Sequence, residues 1–303
     1  MKHRPLGDSG LEVSVLGLGC NNFGRRVDLS GTRRVVDAAL DEGIDFLDTA
    51  DIYGGGGASE ELLGQVLEGR RDRVVLATKF GMDMGDGRED RGAPDYVRGA
   101  IDASLRRLRT DCIDVYWYHQ PDGQTPIAET LGALDELVQA GKVRAIGCSN
   151  FSAAQLEEAD AAARDNGTAR FVAVQNEYSL LRRGIEADVV PAAQRLGLSV
   201  VPYFPLASGL LTGKYRRGEP APDGTRLAGR DRLASDEEWR KLEALTAYAD
   251  ERELDMLAVA IGGLAAQPAV ASVIAGATKP DQIHANARAV EWEPSEADLA
   301  ALP

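Results

Sequence analysis

The sequence has few of the residues that bind metals or form disulfides. Its 303 residues include three histidines and three cysteines, and the cysteines, Cys20, Cys112 and Cys148, lie far apart. Neither a Cys-X-X-Cys pair nor another zinc-ligand spacing occurs, so we expect no metal site. Three separate thiols are typical of a chain that folds without disulfides in a reducing cytoplasm.

Positive charge is also scarce. The chain has 34 lysines and arginines against 48 aspartates and glutamates, which gives a formal net charge of -14 at pH 7. Such a surface repels phosphate backbones and anionic lipids, so we expect neither nucleic acid nor a membrane as a partner. Any anionic ligand must therefore be held by a local group of basic side chains.

A targeting segment is not evident either. Met1-Lys2-His3-Arg4-Pro5 leads into no apolar stretch, which argues against a signal peptide and favours a cytoplasmic protein. The most apolar segment, residues 256–277, contains Pro268 and several glycines. It fits a buried helix, a turn and a buried strand better than a membrane span.

Short apolar runs alternate with longer amphipathic segments along most of the chain. After a hairpin at residues 6–16, strands are predicted near 15–19, 44–48, 74–78, 113–119, 143–148, 171–175, 198–203 and 270–275. Helices are predicted near 31–42, 58–68, 94–109, 126–140, 152–164, 185–196, 235–266 and 280–290. Eight such units without a linker predict one α/β domain over residues 1–303, a (β/α)8 TIM barrel with an N-terminal β-hairpin.

Three successive predicted strands end in residues suited to proton transfer. Asp48 ends one strand and Tyr53 follows in the next loop, while Lys79 and His119 end the two strands after it. Parallel strands of a barrel open their carboxyl ends at one mouth, so we expect these four side chains to meet there. Each residue taken alone has an ordinary structural explanation, such as a cap or a solvated lysine. Their joint placement favours a proton-delivery site.

Four motifs resemble the signatures of the aldo-keto reductase family. They are FLDTADIYG at 46–54, ATKFG at 77–81, GKVRAIGCSNF at 141–151 and VQNEY at 174–178. The motifs occur in the family's order, and the resemblance extends from the hairpin to about Ala289. It implies a (β/α)8 barrel that reduces aldehydes or ketones with a nicotinamide cofactor.

The resemblance assigns the catalytic tetrad to Asp48, Tyr53, Lys79 and His119. Tyr53 would donate a proton to the carbonyl oxygen while a hydride reaches the carbonyl carbon. Lys79, held by Asp48, is expected to lower the pKa of this phenol from its usual value of roughly 10. His119 would orient the carbonyl and stabilise charge on its oxygen.

The same resemblance implies a set of cofactor contacts. Ser149, Asn150 and Gln175 match positions that bind the carboxamide, and Tyr203 matches the aromatic residue that stacks on the nicotinamide ring. The remaining positions are Cys20 and Asn21 in the opening loop, Asp48, the pyrophosphate loop of Pro205, Leu206, Ala207, Ser208, Gly209 and Leu210, the basic Lys214 and Arg226, and the adenosine-phosphate segment with Gly276, Thr278, Lys279, Gln282 and Asn286.

Residues 276–282 bear on the choice of cofactor. The amides of a helix start, the hydroxyl of Thr278 and the ammonium of Lys279 together suit a phosphomonoester. Neither position carries an acidic residue that would repel one. We therefore expect NADP(H) rather than NAD(H).

The longest irregular stretch, residues 216–234, is rich in glycine and arginine. We expect residues 214–233 to form a mobile clasp that orders over the bound cofactor. The arginines of this segment are Arg216, Arg217, Arg226, Arg230 and Arg232.

The sequence leaves three functions to weigh. The complete tetrad favours an NADP(H)-dependent oxidoreductase of the EC 1.1.1 type, whose small-molecule carbonyl substrate is a small or sugar-like aldehyde or ketone. Channel-associated members of the resembled family bind the nucleotide with little turnover, so a nucleotide-sensing regulatory subunit is the alternative. The third is an aldolase in which Lys79 forms a Schiff base. The substrate, the favoured direction and the oligomeric state stay open.

Overall fold

The computed structural model describes residues 1–230 and 233–303. Two antiparallel strands, β1 (His3–Pro5) and β2 (Glu12–Ser14), come first. Eight parallel strands follow: β3 (Leu16–Gly19), β4 (Phe46–Asp48), β5 (Val75–Phe80), β6 (Ile113–Tyr118), β7 (Val143–Ser149), β8 (Phe171–Gln175), β9 (Ser199–Val200) and β10 (Val273–Gly276). From β3 to β9 each strand pairs with the next in sequence, and β10 returns to pair with β3.

Single bridges join β9 to the β10 region and complete the barrel. Val200 pairs with Val270, and Tyr203 pairs with Ile274. The predicted strand at 198–203 is shorter than expected because Pro202 has no N–H to donate to a neighbouring strand. The carbonyl of Pro202 still accepts a hydrogen bond of 2.9 Å from the Ile274 amide. The predicted (β/α)8 barrel with an N-terminal pair of strands is thus confirmed.

Helices surround the barrel and follow most of its strands. In the described residues they are α1 (Leu29–Asp41), α2 (Tyr53–Gly56), α3 (Ala58–Val66), α4 (Pro94–Leu108), α5 (Ile127–Gln139), α6 (Ala153–Asn166), α7 (Val189–Leu196), α8 (Asp236–Glu251), α9 (Gly263–Ala265), α10 (Pro280–Ala289) and α11 (Glu296–Ala300). A π-helical segment, Ala258–Gly262, leads directly into α9. No helix of the described chain is long and apolar enough to cross a membrane.

The prediction of one helix over residues 235–266 is wrong. Helix α8 ends at Glu251, and Glu253 adopts a left-handed φ of 53°. The Leu254 amide then bonds back to the Ala249 carbonyl at 2.9 Å, which closes the end of the helix. Both halves bury an apolar face, so their hydrophobic periodicity continued across the break and concealed it.

The hairpin closes the barrel at the amino ends of its strands. Leu6 and Leu11 lie in the turn between β1 and β2 rather than in strands, and both are buried with residues of the barrel interior. A Cβ on Gly7 would lie 2.2 Å from the Val172 carbonyl oxygen, so only glycine permits this close approach. The carboxyl ends of the strands are left free for a functional site.

The indole of Trp117 fills part of the barrel interior. Trp117 lies on β6 and is fully buried. A Cβ on the adjacent Gly147 of β7 would lie 2.3 Å from the indole ring, so glycine there makes room for it. The barrel is therefore a packed core, and the cavities lie at its mouth.

Candidate active site

Asp48 and Lys79 form a buried ion pair at the carboxyl ends of the neighbouring strands β4 and β5. Lys79 Nζ donates hydrogen bonds to Asp48 Oδ2 at 2.5 Å and to the Thr49 carbonyl at 2.8 Å. Burial by itself would lower the pKa of Lys79, but the charges of Asp48 and Tyr53 and its hydrogen bonds raise the pKa by more. The ammonium is therefore protonated in the folded protein.

Tyr53 begins the short helix α2 at the mouth of the barrel. Lys79 Nζ lies 5.1 Å from the centre of its ring. Burial raises the pKa of Tyr53, and the neighbouring Lys79 lowers it by less, so the net shift is upward. The expected lowering of this pKa is thus wrong in its net direction, although Lys79 acts in the expected sense. The phenol keeps its proton at neutral pH.

His119 follows β6 and contacts Tyr53 edge to face. The two ring centres are 5.9 Å apart and the ring planes meet at 84°. Burial, and then the positive charge of Lys79, lowers the pKa of His119 well below its ordinary value. The imidazole is therefore neutral. Its Nδ1 is buried without a hydrogen-bond partner in the described structure, which is unusual in proteins and leaves this nitrogen able to bond to a substrate.

Amide side chains connect the tetrad to the strands on the other side of the mouth. Gln175, at the end of β8, donates a hydrogen bond of 3.1 Å to Asp48 Oδ1. Asn150 donates to the His119 carbonyl at 3.0 Å and accepts from the Tyr203 hydroxyl at 2.8 Å. Asn150 holds this position with a left-handed φ of 61°. These contacts fix the positions of polar groups around one cavity.

A cavity of about 730 Å³, which we call the main cavity, opens at this mouth and is of a size typical for ligand sites. Three members of the tetrad line it, Asp48, Tyr53 and His119, with Lys79 buried behind Asp48. The other predicted residues on its wall are Asn21, Ser149, Asn150, Gln175, Tyr203, Pro205, Leu206, Ser208, Gly209, Lys214, Arg226, Gly276, Thr278, Lys279 and Gln282.

Four predicted cofactor residues do not reach the wall of the main cavity. Cys20, Ala207, Leu210 and Asn286 are all buried below its surface. Burial raises the pKa of the Cys20 thiol, so this cysteine is a core residue rather than a reactive group. The side chains of Ala207 and Leu210 turn into the core and anchor the loop whose other members face the cavity.

The predicted pyrophosphate loop has an unusual backbone. Phe204, Ala207 and Ser208 have positive φ values of 54°, 45° and 61°, followed by Gly209 at 103°. Left-handed conformations cost about 1–3 kcal/mol each outside glycine, and a run of them is typical of a functional loop rather than of a single helix end such as Glu253. Within the loop, the amides of Ala207 and Gly209 donate to the carbonyls of Phe204 and Leu206, at 2.9 and 2.8 Å. Pro205, Leu206, Ser208 and Gly209 of this loop line the main cavity.

The start of α10 gathers hydrogen-bond donors at one point. The Thr278 amide and hydroxyl and the Lys279 amide all donate to Gln282 Oε1, at 2.7, 3.1 and 3.2 Å. Three donors therefore converge on one acceptor oxygen. The donor set fits a phosphomonoester.

Several residues of the main cavity were not predicted. They include Arg26, Met82, Phe204, Thr212, Tyr215 and Thr225. Most carry no sequence signal, because loop geometry alone brings them to the mouth. Arg26 is an exception, because it follows Arg25 directly and two adjacent cations in the opening loop of an acidic chain mark a local basic group.

A buried lysine–carboxylate pair beside a phenol and a neutral imidazole, at the mouth of a (β/α)8 barrel, places the protein in the class of barrel oxidoreductases. The model of the Aldo/keto reductase family matches residues 15–302. The chain belongs to this family, which confirms the resemblance seen in the sequence.

Relatives support the same assignment. The chain is 40% identical to the "Uncharacterized oxidoreductase YrpG" of Bacillus subtilis (strain 168), over 96% of this chain and 91% of that protein. It is 35% identical to the "Probable voltage-gated potassium channel subunit beta" of Arabidopsis thaliana, over 97% of this chain and 92% of that protein. A protein of the same name from Oryza sativa subsp. japonica has the same identity and coverage.

Proposed function

We propose that the protein is a cytoplasmic NADP(H)-dependent reductase of small or sugar-like aldehydes and ketones. The observation that carries this proposal is the meeting of Asp48, Tyr53, Lys79 and His119 at one cavity. All three cysteines are free, which is consistent with a reducing compartment.

Tyr53 is the proton donor in this proposal. When bound, a reduced nicotinamide supplies a hydride to the carbonyl carbon of the substrate. Tyr53 transfers its proton to the carbonyl oxygen as negative charge develops there. Lys79 stabilises the phenolate that remains, and Asp48 holds the ammonium in place. His119 is neutral and contributes a ring nitrogen as a hydrogen-bonding partner for the substrate oxygen.

The start of α10 supports the choice of NADP(H). Its convergent donors include Thr278 and Lys279, and the Lys279 side chain is exposed at the edge of the main cavity. In the described residues, Lys279 forms no ion pair that would neutralise its charge. A 2′-phosphate would replace Gln282 Oε1 as the acceptor for these donors.

The names of the plant relatives favour a second candidate. A chain of this fold can bind the nucleotide as a regulatory subunit with little turnover, and the names of the Arabidopsis and Oryza relatives point in that direction. The complete tetrad supports turnover instead. An aldolase is disfavoured because Lys79 is buried and protonated, whereas a Schiff base requires an accessible neutral amine.

A panel of aldehydes, ketones and aldoses, followed by NADPH absorbance, tests the proposal. We expect oxidation of NADPH that depends on the carbonyl compound and is slower with NADH. A protein that binds NADPH tightly and reduces no compound of the panel would support the regulatory subunit instead. Preference for NADH would contradict the proposed cofactor.

A further inference from the structure

A second cavity of about 730 Å³ adjoins the main cavity and also reaches Tyr53. We call it the arginine pocket, because Arg25, Arg26, Arg226 and Arg230 line it. Its other walls are formed by Asn21, Asn22, Ile52, Gly54 and Gly55. Among the described residues, no carboxylate lines it. This concentration of cations contrasts with the net charge of -14 of the chain.

Among the described residues, the four arginines lack the carboxylate partners that neutralise many other arginines of the protein. Within the described ranges, none of them forms an ion pair, whereas Arg217 of the same loop pairs with Asp236 at 2.6 Å. Partial burial, and then the charges of Arg26, Arg230 and Arg25, lowers the pKa of Arg226. The guanidinium groups therefore repel one another, and an anion between them would relieve that repulsion.

The loop that presents Arg25 and Arg26 is rigidly built. Phe23 and Val27 are buried on either side of the pair and form a β-bridge with each other. The amides of Arg25 and Arg26 both donate to the Asn22 carbonyl, at 3.3 and 2.9 Å. The backbone thus places both arginines at the mouth of the barrel.

We propose that the arginine pocket binds an anionic group, a phosphate or a carboxylate, of the carbonyl substrate. This inference rests on the proposed reductase function. The pocket shares Tyr53 with the main cavity, so a substrate whose carbonyl oxygen meets Tyr53 can extend its anionic end toward the arginines. Arg25 and Arg230 line this pocket alone, and the pocket includes neither Ser149 nor Lys279. Arg26 and Arg226 line both cavities. We therefore assign the cofactor to the main cavity and the anion of the substrate to the side of the arginine pocket that Arg25 and Arg230 form.

The test compares matched aldehydes that differ in one anionic group. The pairs are glyceraldehyde with glyceraldehyde 3-phosphate, and benzaldehyde with 4-carboxybenzaldehyde. The variant is R25Q/R230Q, and the control is R33Q/R34Q, which makes the same charge change on the exposed face of α1. For the wild type and the control we expect kcat/KM to be at least about tenfold higher for one anionic member than for its neutral partner, the scale of a charge-assisted contact.

The variant should lose about ten- to a hundredfold in kcat/KM for that anionic aldehyde, mainly through KM, and less than about threefold for the neutral one. An equal loss for both members, or no preference in the wild type, would overturn the inference. A raised Kd for NADPH with unchanged KM for the aldehydes would assign the arginines to the cofactor.

Failure of the reductase proposal can be told apart from failure of the anion site. If the wild type reduces none of the four aldehydes, the proposed function fails for these substrates. Calorimetric titration with glyceraldehyde 3-phosphate then tests the pocket directly. Binding to the wild type that is at least about tenfold weaker in R25Q/R230Q would uphold the site. Undetectable or unchanged binding would overturn it.

Discussion

Gln175 donates a hydrogen bond of 3.1 Å to Asp48 Oδ1, while the other carboxylate oxygen of Asp48 accepts from Lys79 at 2.5 Å. Asp48 is buried, so it depends on both partners to compensate for the loss of hydration. Gln175 and Lys79 lie on different strands of the barrel, and Asp48 links them. The carboxylate therefore serves both the stability of the fold and the position of the ammonium beside Tyr53.

Removal of one member of the ion pair should cost more stability than removal of both. Lys79→Met leaves the Asp48 carboxylate buried and unpaired, which should lower the free energy of unfolding by about 3–5 kcal/mol. The double variant D48N/K79M should recover most of this loss, yet remain inactive. Urea denaturation of the two variants measures the difference. A double variant no more stable than K79M would contradict this account of the pair.

Tyr53→Phe should remove the proton donor and keep the ring. We expect kcat to fall by about 10²–10⁴, the usual contribution of a general acid, with the Kd for NADPH almost unchanged. Tyr248→Phe is the matched control, because its hydroxyl bonds to the Asp298 carbonyl far from the site. If the Tyr53 variant keeps more than about a tenth of wild-type kcat, another group is the acid.

Lys279→Ala should weaken NADPH binding by about 1.5–3 kcal/mol and leave NADH binding nearly unchanged. Only NADPH carries the phosphate that the ammonium would contact. Lys241→Ala, which removes an exposed lysine on α8, controls for the change in net charge. Fluorescence titration with both cofactors measures the effect. Equal weakening of NADPH and NADH binding would show that Lys279 does not contact the 2′-phosphate.

Asp51 should make folding stability depend on pH. Burial, and then the negative charge of Glu60, raises the pKa of Asp51 from 3.8 to about 7. Between these values the unfolded chain releases its proton while the folded protein keeps it, so stability falls as the pH rises through this window. Above pH 7 the free energy of unfolding should be lower by at most about 4 kcal/mol than near pH 4.

Asp51→Asn should remove this dependence. The variant and the wild type should have the same free energy of unfolding near pH 4, and the variant should become increasingly more stable up to about pH 7. Urea denaturation at a series of pH values measures the difference. Asp165→Asn, on the exposed face of α6, controls for the loss of one charge. A stability difference that stays constant over this range would show that Asp51 is already ionised in the folded protein.

Hydrogen exchange should show the clasp segment ordering over the cofactor. Lys214 and Arg226 line the main cavity, whereas Arg216 bonds to nearby carbonyls and Arg217 pairs with Asp236. Arg230 lines the arginine pocket, and the predicted Arg232 lies outside the described residues. We expect NADPH to slow exchange across residues 214–233. Unchanged exchange there, together with protection near Ser149 and Gln175, would show that the cofactor binds without this segment.

The tetrad was predictable because its members lie at the ends of successive strands, and barrel topology alone brings such ends together. Details that depend on local backbone geometry could not be predicted from the sequence. The end of helix α8 is set by the single left-handed residue Glu253. The side chains of Ala207 and Leu210 point into the core because several residues of their loop have positive φ values. The meeting of Arg25 with Arg230 requires two loops that are distant in sequence, and no periodic pattern encodes it.

The hairpin and the closing strand also set the order of folding. Arg4 donates hydrogen bonds to the carbonyls of Ala265 and Val270, which lie 261 and 266 residues further along the chain, and β3 finds one of its two partners only in β10. During synthesis the ribosome must therefore release almost the whole chain before the barrel can close. Contacts this distant in sequence are typical of slow folding, and until closure the edges of β3 and the later strands are exposed to other nascent chains.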